Sequence, residues 1–266
     1  MLELKNVSIS FSKGTADEHR AIGRLSLRVD EGEFVTIIGA NGAGKSTLFN
    51  LICGSLIPDE GSVFIDGRNV TMDPEHRRAA YIGRIFQDPM RGSAPGLTIE
   101  ENLSLAAGTG KWMSLGSRQD HKRFRDALAQ LGMGLEDRMT QPVGLLSGGQ
   151  RQAVTLMMAV INPPKLLLLD EHTAALDPGS AEKVLDITKQ AVALDRLTCL
   201  MITHDMGAAL RLGSRTLMMD QGRVIYDVEG EERSGLSTQD LLRKFREASG
   251  RELESDRMLL SAGRKP

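Results

Sequence analysis

Hydrophobic and polar positions along the 266-residue chain alternate in some segments with period two and in others with a helical period, so strands and helices follow one another. Leu2, Leu4, Val7 and Ile9 predict a first strand, and Leu25-Ser26-Leu27-Arg28-Val29 repeats the alternation after a polar interval. Asp30-Glu31-Gly32-Glu33 turns the chain into an apolar run from Phe34 to Ile38. Lys45 to Ile52 predicts a helix that stops near Gly54. Pro58-Asp59-Glu60-Gly61 marks a turn before an alternating Ser62 to Asp66 strand, and Tyr81 to Phe86 predicts another.

From Met90 to about Gln141 helix formers take over. Thr98-Ile99-Glu100-Glu101 has the spacing of a capping box, and Ser117 to Leu131 carries a helical pattern closed by Gly132. Arg118, Lys122, Arg123 and Arg125 are interspersed with acids and read as a solvated helix face, while Trp112 is assigned no role. Ser147 and Gln150 again have capping-box spacing and open a helix that ends at Asn162-Pro163-Pro164. Leu166 to Leu169 is a continuous apolar run, the pattern of a buried parallel strand, and Thr198 to Ile202 is another. Between them Asp177-Pro178, an Asp cap followed by Pro at the first helical position, starts a helix that runs to about Leu194. Leu217 to Asp220 and Arg223 to Val228 flank Gln221-Gly222 as a hairpin. Beyond Gly230 the chain is highly charged, with one helical stretch near Asp240 to Glu247 and a polar end read as frayed.

Composition narrows the class without naming it. A hydrophobic fraction of 41% gives a core to one large α/β domain or two modest ones, and a formal net charge of -2 argues against binding nucleic acid through bulk electrostatics. Cys53 and Cys199 lie in apolar segments outside metal-ligand spacing and read as small buried hydrophobes in a reducing compartment. The charged opening Met1-Leu2-Glu3-Leu4-Lys5 reads as the start of an alternating strand, so no signal peptide is expected there, and no apolar run reaches the roughly 18 residues of a membrane span. A membrane pathway, if the chain serves one, is expected to come from separate chains.

Chemistry collects at strand ends. Gly39-Ala40-Asn41-Gly42-Ala43-Gly44-Lys45-Ser46-Thr47 matches G-x-x-x-x-G-K-[ST] between a strand and a helix. In that arrangement backbone N–H groups cradle phosphates, the Lys reaches β/γ oxygens and a hydroxyl helps hold Mg²⁺. The run of leucines delivers Asp170 and Glu171, placed to act on Mg²⁺ and on an attacking water. Thr198 to Ile202 delivers His204, which could contact a γ-phosphate or that water. Gln87 follows the Tyr81 to Phe86 strand, and Phe11 ends the first strand either as an edge or core aromatic or as a surface for a base. Ser147-Gly148-Gly149-Gln150 opens a helix with an exposed backbone, a second terminus suited to an anion.

The order of the phosphate loop, Gln87, Leu146-Ser147-Gly148-Gly149-Gln150, Asp170-Glu171, Asp177 and His204 resembles the ATP-binding subunit of an ABC transporter over roughly residues 1 to 230. The resemblance implies an α/β fold: a P-loop NTPase core, a flanking antiparallel β layer and an inserted helical subdomain at about 90–162 that carries the LSGGQ signature. Residues 231–266 would form a charged, partly helical extension. It also implies roles. Phe11 stacks on adenine, Gln87 links Mg²⁺ to a membrane subunit, Glu171 is the catalytic carboxylate and His204 the switch histidine. Asp177 lies in a loop that crosses between subunits. ATP and Mg²⁺ are the implied cofactors.

The implied partners are a second copy or a paired ATPase subunit, separate membrane permease subunits and an extracytoplasmic solute-binding protein, with no nucleic acid. The implied location is the cytoplasmic face of the inner membrane. Two subunits meeting head to tail, each signature closing over the other's ATP, would explain both the lack of an obvious cis arginine finger and a signature end without its own ligand. The alternatives are a soluble ABC-type ATPase acting on nucleic acid or ribosomes, and a regulatory nucleotide-binding module. The first usually shows a coiled-coil insertion or tandem cassettes, and the second would lack Glu171. The wording Asp170 to Asp177 is similar to bacterial uptake cassettes for aromatic or other amino acids. It departs from the family at His172, where proline is common. The expectation is a less stiff loop and an exposed imidazole.

Overall fold

Asn6 reverses the burial pattern of the opening strand. In β1 (Leu2–Phe11) Leu2 and Leu4 point inward on one parity and Val7 and Ile9 on the other. The switch is possible because Asn6 adopts φ 49°, and the register against β2 (His19–Val29) shifts between Leu4 and Val7. A bulge thus lets one strand keep all four apolar side chains in the core. β2 starts at His19, well ahead of the predicted Leu25, because its polar beginning pairs with Ser10 and Phe11 at the exposed end of β1.

The computed structural model describes residues 1–108 and 117–250, so Trp112 and the polar end beyond Gly250 lie outside the described residues. The chain divides into two units: Met1–Ile82 with the residues from Leu197 on, and Gly83–Arg196. In the first, β3 (Phe34–Gly39) is buried at every position and leads into α1 (Lys45–Cys53), whose Leu48, Phe49, Leu51 and Ile52 are inaccessible to solvent. Burying each such side chain stabilises by about 1.5–3 kcal/mol. β4 (Glu60–Ile65), β5 (Arg68–Asn69) and the short α2 (Glu75–Arg78) follow.

The second unit runs through β6 (Ile82–Ile85), α3 (Ile99–Ala107), α4 (Arg118–Gln130), a 3-10 turn at Val143–Leu145, α5 (Gly148–Val160), β7 (Leu166–Asp170) and α6 (Pro178–Leu194). β6 and β7 are neighbours in a sheet, and α5 packs against α3, α4 and α6. The expected capping boxes close at Thr98 and Ser147, and a third that the sequence reading did not name closes at Ser117, each hydroxyl accepting from the backbone amide three residues on. Of the basic residues on α4, Arg123 does more than face solvent: its guanidinium donates to the Ile161 carbonyl and to Asn162 at the end of α5.

The chain returns to the first unit with β8 (Thr198–Ile202), α7 (Met206–Leu212), β9 (Arg215–Asp220), β10 (Arg223–Glu229), α8 (Gly230–Ser234) and α9 (Thr238–Ser249). Its antiparallel sheet has the order β2-β1-β4-β5. In its other sheet β3 lies between β8 and β9, parallel to both, and β10 pairs antiparallel with β9. α9 belongs to this core, since its Leu241 and Phe245 pack with Ile38 of β3, Met206 and Ala209 of α7 and Met218 of β9. Among the described residues no helix is long and apolar enough to cross a membrane. Cys53 and Cys199 are both buried and in no disulfide, as small core residues.

Candidate functional site

In the first unit the phosphate loop is held from three sides. Gly44, the residue before α1, has φ 97°, and a Cβ there would come within 2.8 Å of the Ala21 carbonyl oxygen and 2.9 Å of Ile22 Cδ1. Glycine supplies both the left-handed backbone and the clearance. The Gly222 amide in the β9–β10 turn donates to the Ala43 carbonyl at 3.0 Å, and the Gly23 amide donates to Gly222 at 3.2 Å, so hairpin, loop and β2 form one brace. α1 opens with no side-chain cap, leaving the backbone N–H groups of its first turn directed along the axis toward an anion. Asn41, Gly42 and Ser46 are exposed, Thr47 is half-buried and Ala43 is buried. Lys45 is buried and its ammonium donates to the Gly39 carbonyl at 2.8 Å and the Ala40 carbonyl at 3.0 Å, which folds the cation over the loop.

His204 enters through β8. The amide of Thr203 donates to the Ile37 carbonyl of β3 at 3.1 Å, so half-buried His204 is the next residue after a bond to the strand that carries the loop. Asp205 then caps α7, a helix that sequence reasoning missed because Gly207, Ala208 and Ala209 carry little periodic signal. Phe11 is not a core side chain. It is half-exposed at the end of β1, its ring 5.6 Å from the ring of His19, a residue the sequence did not single out.

In the second unit Asp170 ends β7 with its carboxylate 3.6 Å from the Arg84 guanidinium of β6, both side chains mostly buried. Arg84 was missed, although a lone cation between Ile82 and Ile85 in a strand is a visible signal. It also lies over the Phe86 ring at 4.7 Å, one residue before exposed Gln87. Glu171 is half-buried with φ 46°, an uncommon conformation for a residue with a Cβ, and its carbonyl accepts from the Ala174 amide at 2.9 Å. His172 corrects the expectation of an exposed imidazole. It is 2% exposed, its Nε2 lies 3.1 Å from Thr188 Oγ1 on α6, and burial pushes its pKa down to about 4, so the ring is neutral.

The Leu146–Gln150 segment and the Asp177 loop meet in this unit. A Cβ on Gly148 would lie 3.2 Å from Leu176, and one on Gly149 would lie 2.7 Å from Ser180 Cβ. Ser147 is exposed, its Oγ accepts from the Gln150 amide at 3.3 Å, and Gln150 Oε1 accepts from the Ser147 amide at 3.3 Å. That leaves the Ser147 hydroxyl proton to be donated elsewhere. Arg151, also missed, donates to the carbonyls of Val143, Gly144 and Leu146 and so braces the turn before the segment. Asp177 is exposed and caps α6 through the Ser180 amide at 3.0 Å, and hydrogen bonding with the Ser180 hydroxyl first, then with that amide, holds its carboxyl below the usual range.

Hard oxygen donors suit Mg²⁺, which takes one or two protein oxygens and completes its shell with phosphate and water. The Ser46 hydroxyl and the Asp170 carboxylate are groups of that kind. Among the described residues no cluster of three or more His, Cys, Asp or Glu forms an all-protein metal cage.

Residues 22–174 match the family described as ABC transporter. The chain is 40% identical over 247 residues to the tyrosine transport ATP-binding protein of Clostridioides difficile, covering 92% of this chain and 98% of that one. It is 37% identical over 214 residues to the thiamine import ATP-binding protein ThiQ of Salmonella paratyphi A, covering 80% and 87%. Among solved structures, the dimeric post-hydrolysis state of the ATP-binding cassette MJ0796 bound to ADP and Pi superposes with a TM-score of 0.73 at 32% identity, covering 86% of this chain and 98% of that one. cbiO1 of Clostridium perfringens, part of the ABC transporter complex cbiONQ, gives 0.76 at 27% identity over 92% and 94%.

A phosphate loop on a buried parallel strand, an antiparallel layer and helices bearing a capped LSGGQ define an ATP-binding cassette, a class of ATPase. The chain belongs to the ABC transporter family.

Proposed function

We propose that this chain is the ATP-binding and ATP-hydrolysing subunit of an import-type ABC transporter, acting at the cytoplasmic face of the membrane through separate permease subunits. The solute is of the amino-acid type, a reading supported by the near-complete alignment with a tyrosine transport ATP-binding protein. An extracytoplasmic solute-binding protein would complete the assembly. Glu171 carries the hydrolytic part of the reading: a half-buried residue just past the strand of four leucines and Asp170, in a left-handed backbone that a random surface residue has no reason to adopt.

Each residue has a task in this scheme. Phe11 offers a face to the base, the amides from Gly39 to Thr47 receive phosphate oxygens and Lys45 exchanges its carbonyl partners for β/γ oxygens. Ser46, Asp170 and Gln87 are the residues that would hold Mg²⁺, which would neutralise phosphate charge. Glu171 takes a proton from the attacking water or orients it, and His204 donates to the γ-phosphate. Ser147 to Gln150 and Asp177 act on the nucleotide of a second subunit in a two-fold dimer, whose two composite sites close on ATP and open after hydrolysis.

Glu171→Gln preserves shape and hydrogen bonding but removes the base. Turnover should fall by roughly 100-fold or more while ATP still binds, and an ATP-bound dimer should accumulate on a sizing column. Near-normal turnover in this variant would remove Glu171 from the chemistry. Purifying the native membrane complex and identifying its neighbouring subunits tests the transporter assignment.

A further inference from the structure

We infer that His172 is a positioning residue: its ring, anchored to Thr188 in the middle of α6, holds the Glu171 backbone and thereby aims the Glu171 carboxylate at the water that attacks ATP. The inference rests on the proposed catalytic role of Glu171. It concerns a residue that contacts no nucleotide in that scheme.

The geometry begins with the strained neighbour. Glu171 has φ 46°, a conformation disfavoured for a residue with a Cβ, so something on each side must hold it. Upstream, β7 runs directly into it through Asp170. Downstream, the Ala174 amide closes a turn on the Glu171 carbonyl at 2.9 Å, and the next side chain, His172, is buried.

Hydrogen bonding then fixes the ring. Thr188 Oγ1 donates its single proton to the Val184 carbonyl at 2.8 Å, so in the 3.1 Å contact the Thr188 oxygen accepts and His172 Nε2 carries the hydrogen. The tautomer is thereby set, with Nδ1 unprotonated. Turning the ring away would strand a buried donor, which makes the arrangement stiff rather than merely packed.

The consequence reaches beyond one side chain. α6 is continuous from Pro178 to Leu194, with Asp177 as its cap and Thr188 within it. The His172–Thr188 bond therefore ties the strand end to the same rigid helix that presents Asp177, and the residues between are held at both ends. Leu176, in that short connection, faces Gly148. One internal bond thus sets the backbone of Glu171 and the loop that carries Asp177.

The test uses the full chain, with steady-state ATP hydrolysis, nucleotide affinity and thermal unfolding measured together. Thr188→Val removes the acceptor with little change of shape, Thr188→Ser keeps the hydroxyl, and His172→Ala removes the ring. Each is made alone and in a Glu171→Gln background. Displacing a catalytic group by a fraction of an ångström should lower kcat about 10-fold in Thr188→Val and His172→Ala while KM for ATP stays within about 2-fold. Thr188→Ser should restore most of the rate, and in the Glu171→Gln background neither damaging variant should lower the residual rate further.

If Thr188→Val is folded and fully active while Glu171→Gln is dead, the brace is refuted and the catalytic assignment stands. The same 10-fold loss in the Glu171→Gln background would also refute it, since the bond would then act through some other group. Near-normal turnover in Glu171→Gln alone would overturn both.

Discussion

Arg78 Nη1 donates to the carbonyl oxygen of Leu51 at 2.7 Å, and this bond finishes the helix that follows the phosphate loop. The same guanidinium reaches the carbonyls of Ile52, Asp73 and Thr71, each at 2.9 Å, and the side chain is wholly buried. The last turn of α1 has carbonyls without intrahelical partners and a negative dipole end, so a planar cation with five donors is well matched to it. Burial lowers the Arg78 pKa from its ordinary value, the cost of placing a cation there. Arg78→Met should strand several buried carbonyls and destabilise the protein by about 3 kcal/mol or more, read from urea unfolding. Arg78→Lys should recover little, because one ammonium cannot span four carbonyls. A wild-type midpoint in either variant would show that water replaces the guanidinium freely.

Acid should weaken the start of α3 through Glu101. Its carboxylate accepts from the Thr98 amide at 2.7 Å and the Thr98 hydroxyl at 2.8 Å, and the backbone bond first, then the hydroxyl, lowers its pKa below the usual 4.5. A depressed folded-state pKa means the unfolded chain binds the proton more readily, so the contribution is complete above pH 4.5 and is lost as pH falls through the lower folded value. Wild type should therefore exceed Glu101→Gln by about 0.5 kcal/mol at pH 7, with the gap closing in acid. Urea midpoints of both proteins at several pH values give the comparison, and a gap that widens on acidification would contradict this account.

Features encoded by short spacings were legible in the sequence, whereas those created by distant partners were not. The capping residues Thr98, Ser147 and Asp177 signal helix starts within three or four positions of themselves, and each cap is present in the structure. The phosphate loop is likewise a local strand, loop and helix. Arg78 gives no such clue, because its acceptors Leu51 and Ile52 lie far back in the chain. His172 looked like a surface residue beside two acids, and only the fold brings Thr188 to it. Arg84 and Arg151 follow the same rule, their partners Asp170 and Val143 being set by sheet and turn. A polar side chain's fate depends on tertiary partners, which periodicity does not report.

Gly149 has a packing reason as well as a proposed nucleotide one. A Cβ there would meet Ser180 Cβ at 2.7 Å and Oγ at 2.8 Å, so α5 and α6 would have to separate. Gly149→Ala should cost about 1–3 kcal/mol by overpacking. In a Ser180→Gly background the obstruction is gone and the Ala should be tolerated, giving a coupling of about 1–2 kcal/mol in a double-mutant cycle by thermal or urea unfolding. Ser180→Gly keeps the backbone amide that the Asp177 cap accepts from but removes the Ser180 hydroxyl beside the same carboxylate, a loss that the Ser180→Gly single variant measures within the cycle. Simple additivity would show that the helices do not meet at these residues in solution.

The composite site of the proposed dimer can be tested by complementation. Ser147→Arg places a bulky cation at the helix start where a partner's γ-phosphate would dock, and Lys45→Ala removes the cation from the phosphate loop, so each homodimer should be nearly inactive in ATP hydrolysis. In a head-to-tail dimer the Lys45 of one chain faces the Ser147 of the other. A mixed dimer with one substitution per chain then collects both lesions in one site and leaves the second intact. With random mixing of equal amounts, half the dimers are mixed and half of their sites work, so the mixture should recover about 25% of wild-type turnover if the sites are independent. If each site were built from a single chain, both sites of the mixed dimer would carry a lesion and no activity would return. Ser147 also caps α5, which costs about 1 kcal/mol when lost, so the unfolding temperature of each homodimer must be measured alongside. Recovery of hydrolysis on mixing, from two folded and inactive parents, would demonstrate that the capped serine serves its neighbour's nucleotide.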